Sequence, residues 1–182
     1  MLAEGKLASP ARSTIFGFRV PLYSELDPQA VQLANWILFQ SSYSLARRRL
    51  SIDQTLAVGV NDFNFDYDNG MLKGTANLLP SVTLPKLQTE LAQLGGDFAR
   101  LSEEEYDAYL KQLFISAQDD GLRNEGLVAF AAQSWGKFGG LQYLQDMLSG
   151  KAAADLRNKT KALVDEYVKA DNLVLVHGKG DK

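Results

Sequence analysis

Histidines, cysteines and clustered carboxylates are where chemistry would begin, and this sequence holds few of them. His177 is the lone histidine and there is no cysteine. Catalytic zinc takes two or three histidines from its protein, so the chain is a poor zinc enzyme by ligand count. A serine–histidine triad would have only His177 to use. A thiol nucleophile, an iron–sulfur centre, a disulfide scaffold and cysteine-ligated zinc are all excluded. His177 closes an apolar run beside Gly178 and reads as a strand-end residue. Glu103-Glu104-Glu105 could suggest a hard-cation site, but consecutive helical positions point apart, and acidic residues in a first turn suit the helix dipole. Asp62, Asp66 and Asp68 share one strand face at a spacing calcium could use. They lie opposite the parity of Phe63, Phe65 and Tyr67, which makes that face a solvated one. Gly178-Lys179-Gly180 lacks the following helix that a phosphate loop needs. Gly95-Gly96-Asp97-Phe98 reads as a helix-ending loop. Arg47-Arg48-Arg49 could grip phosphate or an acidic partner, yet consecutive arginines spread around a helix and divide between packing and solvent. This reading assigns no catalytic residue and no metal ligand, and it leaves substrate-binding residues open.

The elements that would position these residues are legible from hydrophobic period and punctuation. Phe16, Phe18 and Val20 alternate with Gly17 and Arg19, predicting a half-buried strand over 13–20 that Pro21 ends. Asp27-Pro28 starts a helix carrying Ala30, Leu33, Ala34 and Ile37. A second helical piece spans 41–50. A long strand follows over 55–67, with Leu56, Val58 and Val60 on one face. The aromatic set has opposite parity, so a β-bulge is expected at Asn61-Asp62. Asp68-Asn69-Gly70 marks a tight hairpin turn. Its partner strand puts Leu72, Gly74, Ala76 and Leu78 on one face and stops at Pro80. Leu84, Leu87, Leu91 and Leu94 form a helical stripe broken by Gly95-Gly96. Ser102 to Glu105 is a capping box, stapled by Leu101 and Tyr106, opening a helix to about 118. Helices over 122–135, 141–148 and 152–168 follow. The apolar run 172–176 reads as a central strand covered on both faces. The expected fold class is α+β: two layers, a mostly antiparallel sheet with helices packed on one face.

Composition fits one globular domain over residues 13–182, after a flexible lead-in over 1–12. There are 182 residues, 46% hydrophobic and 23% charged, near the globular average. A net charge of −3 lacks the electrostatic footprint of a nucleic-acid binder. The first residues hold no apolar stretch of signal-peptide length, and no run is long enough to cross a membrane. Absent cysteines leave the compartment open.

The order of these pieces resembles the insulinase-type metallopeptidases, the pitrilysin and mitochondrial-processing-peptidase-like family, and in particular their C-terminal, non-zinc-binding domain. The resemblance rests on Phe16 to Pro21, on Asp27-Pro28-Gln29-Ala30, and on Tyr43 to Leu50. Leu56-Ala57 before the hairpin, Val82-Thr83-Leu84, and Leu101 to Glu105 extend it across about residues 13–180. It implies the LuxS/MPP-like fold and a partner domain or subunit that holds any zinc. It also implies an arginine, with a tyrosine seven positions later, that this domain would lend to substrate. Aligned on Leu50-Ser51, and with Thr55-Leu56-Ala57-Val58 set against the family's glycine-leucine-alanine-tyrosine, Ser51 falls at the arginine position, Thr55 at the glycine and Val58 at the tyrosine. Ser51 cannot clamp an anion and Val58 cannot donate to an oxyanion.

These observations predict a non-catalytic structural or substrate-chamber domain, lacking zinc ligands and the arginine–tyrosine pair. It would pack against a second domain or subunit of the family and hold peptide partly by a strand edge. No cofactor of its own, no nucleic acid and no membrane is expected. The alternative is a stand-alone α+β protein-binding or assembly module unrelated to proteases, using its aromatic strand as an interface.

Overall fold

The computed structural model describes residues 2–6, 13–62 and 70–179. Five strands form one sheet in the order β1-β5-β2-β4-β3. They are β1 (Leu2–Lys6), β2 (Ser13–Arg19), β3 (Ala57–Asp62), β4 (Met71–Leu78) and β5 (Leu173–Lys179). Every neighbouring pair is antiparallel except β1 with β5. The expected α+β class, a mostly antiparallel sheet under one helical layer, is the observed one.

Side-chain alternation builds the sheet's inner face. In β4 every second residue is buried, and in β2 Thr14, Phe16 and Phe18 are. Helix α1 (Pro28–Asn35) runs into a π-helical turn, Trp36–Gln40. Asp27 caps α1 by accepting from the Gln29 and Ala30 amides. The turn delivers Phe39 onto the sheet, where its ring centroid lies 5.6 Å from that of Phe16 and 6.4 Å from that of Phe18. Helices α3 (Leu84–Leu91), α4 (Leu94–Ala99) and α5 (Glu103–Gly121) follow the hairpin. Helices α6 (Asn124–Phe138), α7 (Gln142–Ser149) and α8 (Leu156–Tyr167) precede β5. The Ser102 capping box is complete, with the Glu105 amide donating to Ser102 Oγ and the Ser102 amide to Glu105 Oε2.

Several expectations need correction. Leu2–Lys6, placed in a flexible lead-in, pairs in parallel with β5; a ladder is made by backbone groups, so small and polar residues suffice for it. The irregularity in β3 lies between Ala57 and Gly59, with regular pairing through Asp62. It turns Val58 out, 79% exposed, while Leu56, Ala57 and Val60 are buried. The aromatic residues 63–67 and the turn residues 68–69 lie outside the described residues. At the hairpin, Gly70 has φ +95°, a conformation glycine adopts at no steric cost. Gly95 and Gly96 do not end a helix but lie within α4. A Cβ on Gly95 would sit 2.5 Å from the Val168 carbonyl oxygen, so the residue permits close packing against the end of α8. Strand β5 is interior to the sheet, yet only Leu173 and Leu175 are buried while Val174 and Val176 are half-exposed. The second face of the sheet carries no helix among the described residues.

Candidate functional site

The segment joining α1 to β3 carries the three consecutive arginines, Ser51 and Thr55. Ser44 caps a single helical turn, α2 (Leu45–Arg47), which continues as a π-helical turn over Arg48–Asp53. The three arginines part company there. Arg49 Nε and Nη2 bond both carboxylate oxygens of Asp97, at 2.6 and 2.7 Å, and Nη1 reaches Glu90 Oε2 at 2.8 Å. All three side chains are at most one-fifth exposed. The Asp97 bonds, reinforced by Glu90, push the guanidinium pKa above its ordinary value against the opposing effect of burial. Arg49 thereby ties this segment to α3 and α4. Arg47 Nη2 donates to the Val60 carbonyl at 2.7 Å, holding the turn to β3. Arg48 remains half-exposed, with Asp53 at 4.0 Å. The expected division between packing and solvent is what the structure contains.

Between these anchors the backbone is tightly turned. The Leu56 amide donates to the Leu50 carbonyl at 2.6 Å, and the Leu79 amide to Leu56. Leu50 is fully buried. Ser51 Oγ is buried without a hydrogen-bond partner among the described residues. Thr55 has φ +50°, a left-handed conformation that a β-branched residue rarely takes. Ile52 and Val58 point outward, 66% and 79% exposed. Beside the turn, Tyr43, Arg48, Ile52, Glu105 and Tyr109 line an open hollow of about 270 Å³. The Tyr109 hydroxyl donates to the Tyr43 carbonyl at 2.6 Å, and burial pushes its pKa up. Strand β3 is an edge strand, paired only with β4 among the described residues.

The remaining candidates do not converge. Glu105 serves the cap, Glu103 pairs with Arg157 at 2.7 Å, and Glu104 is exposed. His177 stands in β5 opposite Thr14. Asp62 ends β3 opposite Gly74, whereas Asp66 and Asp68 lie outside the described residues. Gly178 and Lys179 belong to β5. Among the described residues no three histidine, aspartate or glutamate side chains are grouped to hold a metal ion. With one histidine in the chain, the residues present do not fit a peptidase zinc centre. Asp97, placed in a loop by sequence reasoning, is the main partner of Arg49. Two strands and α3 separate Asp97 from the arginines in the chain, so no local signal pointed to the pair.

No family model matches the sequence, and no curated protein matches it. Solved structures do. A protease from Helicobacter pylori superposes with a TM-score of 0.78 at 17% identity, over 98% of this chain and 43% of that one. A peptidase M16 inactive domain from Pseudomonas fluorescens gives 0.71 at 16%, over 100% and 44%. An inactive peptidase domain from Bordetella parapertussis gives 0.70 at 18%, over 97% of both chains. The chain therefore spans less than half of the first two proteins and nearly all of the third. Its fold is that of these inactive peptidase domains.

Proposed function

We propose that this chain is a non-catalytic domain of an insulinase-type zinc peptidase or of an inactive homologue, a structural half that helps enclose a peptide chamber. The observation that carries the reading is the conformation of Thr55. In the family resemblance this position belongs to a glycine, and Thr55 has the left-handed φ of +50° that glycine supplies. That agreement supports the register in which Ser51 and Val58 take the places of the arginine and tyrosine. Ser51 is a buried hydroxyl and Val58 an outward apolar side chain. Ser51 carries no charge to pair with a carboxylate, and Val58 has no hydroxyl to donate to an oxyanion.

A partner domain or subunit of the same family would hold any zinc. The uncovered face of the sheet, with half-exposed Ile15, Val174 and Val176, supports a role beside such a partner. As an edge strand, β3 offers backbone groups other than the Arg47-bonded Val60 carbonyl to an extended peptide, and Ile52 and Val58 add exposed apolar surface beside it. Nucleic acid is a poor ligand for a chain of net charge −3. Among the described residues no helix is long and apolar enough to cross a membrane.

Hydrogen exchange with reduced, alkylated insulin B chain as the probe tests this reading. Saturating peptide should slow exchange in Ala57–Asp62 while the peptide stays intact. Unchanged exchange there, or cleavage abolished by EDTA, would overturn it.

A further inference from the structure

Helix α6 packs Phe130 and Phe138 against the core yet leaves other large apolar side chains outside. Its buried residues are Ser134 and Lys137, whereas Leu127, Val128 and Trp135 are 40%, 69% and 65% exposed. Ile115 in α5, Leu122 just after it, and Leu141 after α6 are exposed as well. On α6, Val128, Ala132 and Trp135 follow one another at spacings of four and three, and an exposed apolar stripe of this kind suits an interaction surface.

The face has a hole beside it. Between α1, α5, α6 and α7 lies a cavity of about 280 Å³. Its apolar wall includes Leu113, Phe130 and Met147, and Asp120, Gln133 and Gln32 supply acceptors. Ala129, exposed, lines the cavity and leads through exposed Ala132 to Val128 and Trp135, since positions three and four apart adjoin on a helix. Asp119, Asp120 and Glu125 are exposed and enter no ion pair among the described residues. Arg123 is the one exposed cation between them, so the rim is acidic.

We infer that α6 and this cavity form a docking face for a protein partner that presents an apolar surface with a protruding arginine or lysine. The aliphatic stem would lie along Leu113 and Met147 and the cation would meet Asp120, an arrangement suited to long basic side chains. Trp135 would supply the aromatic anchor that such interfaces favour. A second copy of this chain fits badly, because face-to-face packing would set the acidic rims against each other. This face is separate from the β3 edge and from the peptide-chamber reading, so either can fail alone.

The chain's two tryptophans report the two halves of the site, Trp36 lining the cavity and Trp135 on the apolar face. The probe is a blocked amphipathic helical peptide of leucine and arginine, with a control carrying glutamate for arginine. Saturable binding should move both indole N–H resonances, and Asp120→Asn should weaken it about ten-fold without lowering the melting temperature. Val128→Asp should abolish binding. Equal binding of the glutamate peptide, or binding that leaves Trp36 and Trp135 unmoved, would overturn the proposal. So would concentration-dependent dimerisation lost in Val128→Asp, which would make a second copy the occupant.

Discussion

Replacing Thr55 by glycine should stabilise the protein. At φ +50° an L-residue brings its Cβ too close to the following carbonyl, at a cost of about 1–2 kcal/mol. Glycine removes that strain but adds backbone freedom to the unfolded chain, which costs about 0.5–1 kcal/mol. Thr55 is exposed, so little packing is lost. The balance favours Thr55→Gly by about 0.5–1 kcal/mol, a rise of about 1–4 °C in melting temperature for a domain of this size. Thr55→Asn tolerates the left-handed region without glycine's entropy, so it should rise at least as much. Thr55→Val keeps the β-branch and should gain nothing. Calorimetric scans of the three variants against the parent decide the matter. If both the glycine and asparagine variants melt below the parent, Thr55 is not strained, and the register placing Ser51 and Val58 loses its support.

Three further outcomes follow from the same geometry. Arg49→Ala leaves Glu90 without its cation and Asp97 with only the exposed Arg100, 3.4 Å away, and should cost about 3 kcal/mol; in chemical denaturation Arg49→Lys, unable to bond Asp97 in fork geometry, should recover only part. Ser51→Ala removes a buried hydroxyl that has no partner and should leave stability unchanged or raise it by up to about 1 kcal/mol, as urea titration would show. Burial raises the Tyr143 pKa above its ordinary value near 10. The unfolded chain therefore ionises first, and stability present below about pH 10 is lost as pH rises further; Tyr143→Phe should flatten that alkaline decline in a pH series of melting temperatures.

Periodicity and capping chemistry made most of the architecture readable before any coordinates. The Asp27-Pro28 helix start, the Ser102 capping box and the β4 alternation depend on nearest neighbours in sequence. Features set by distant contacts were not readable. Leu56, Val58 and Val60 are all apolar, so nothing local reveals that a register shift ejects Val58. Gly95 looks like a helix terminator until the Val168 carbonyl is seen against it. Strand β1 is a matter of backbone pairing with residues far along the chain. Helix α6 has an apolar sequence that suggests burial all round, and only the packing of its neighbours shows Phe130 and Phe138 facing in while Leu127, Val128 and Trp135 face out. For the site, setting Ser51 and Val58 where the family resemblance places an arginine and a tyrosine needed only the sequence, whereas the left-handed Thr55 that supports this register needed the backbone.

The central claim is that this chain does no zinc chemistry of its own, and its metal content and peptidase activity test that directly. The chain is incubated with zinc, exchanged into metal-free buffer, assayed for bound zinc, and then given an unfolded peptide with and without EDTA. The account predicts substoichiometric zinc and no EDTA-sensitive cleavage. One zinc per chain with cleavage that EDTA abolishes would contradict it.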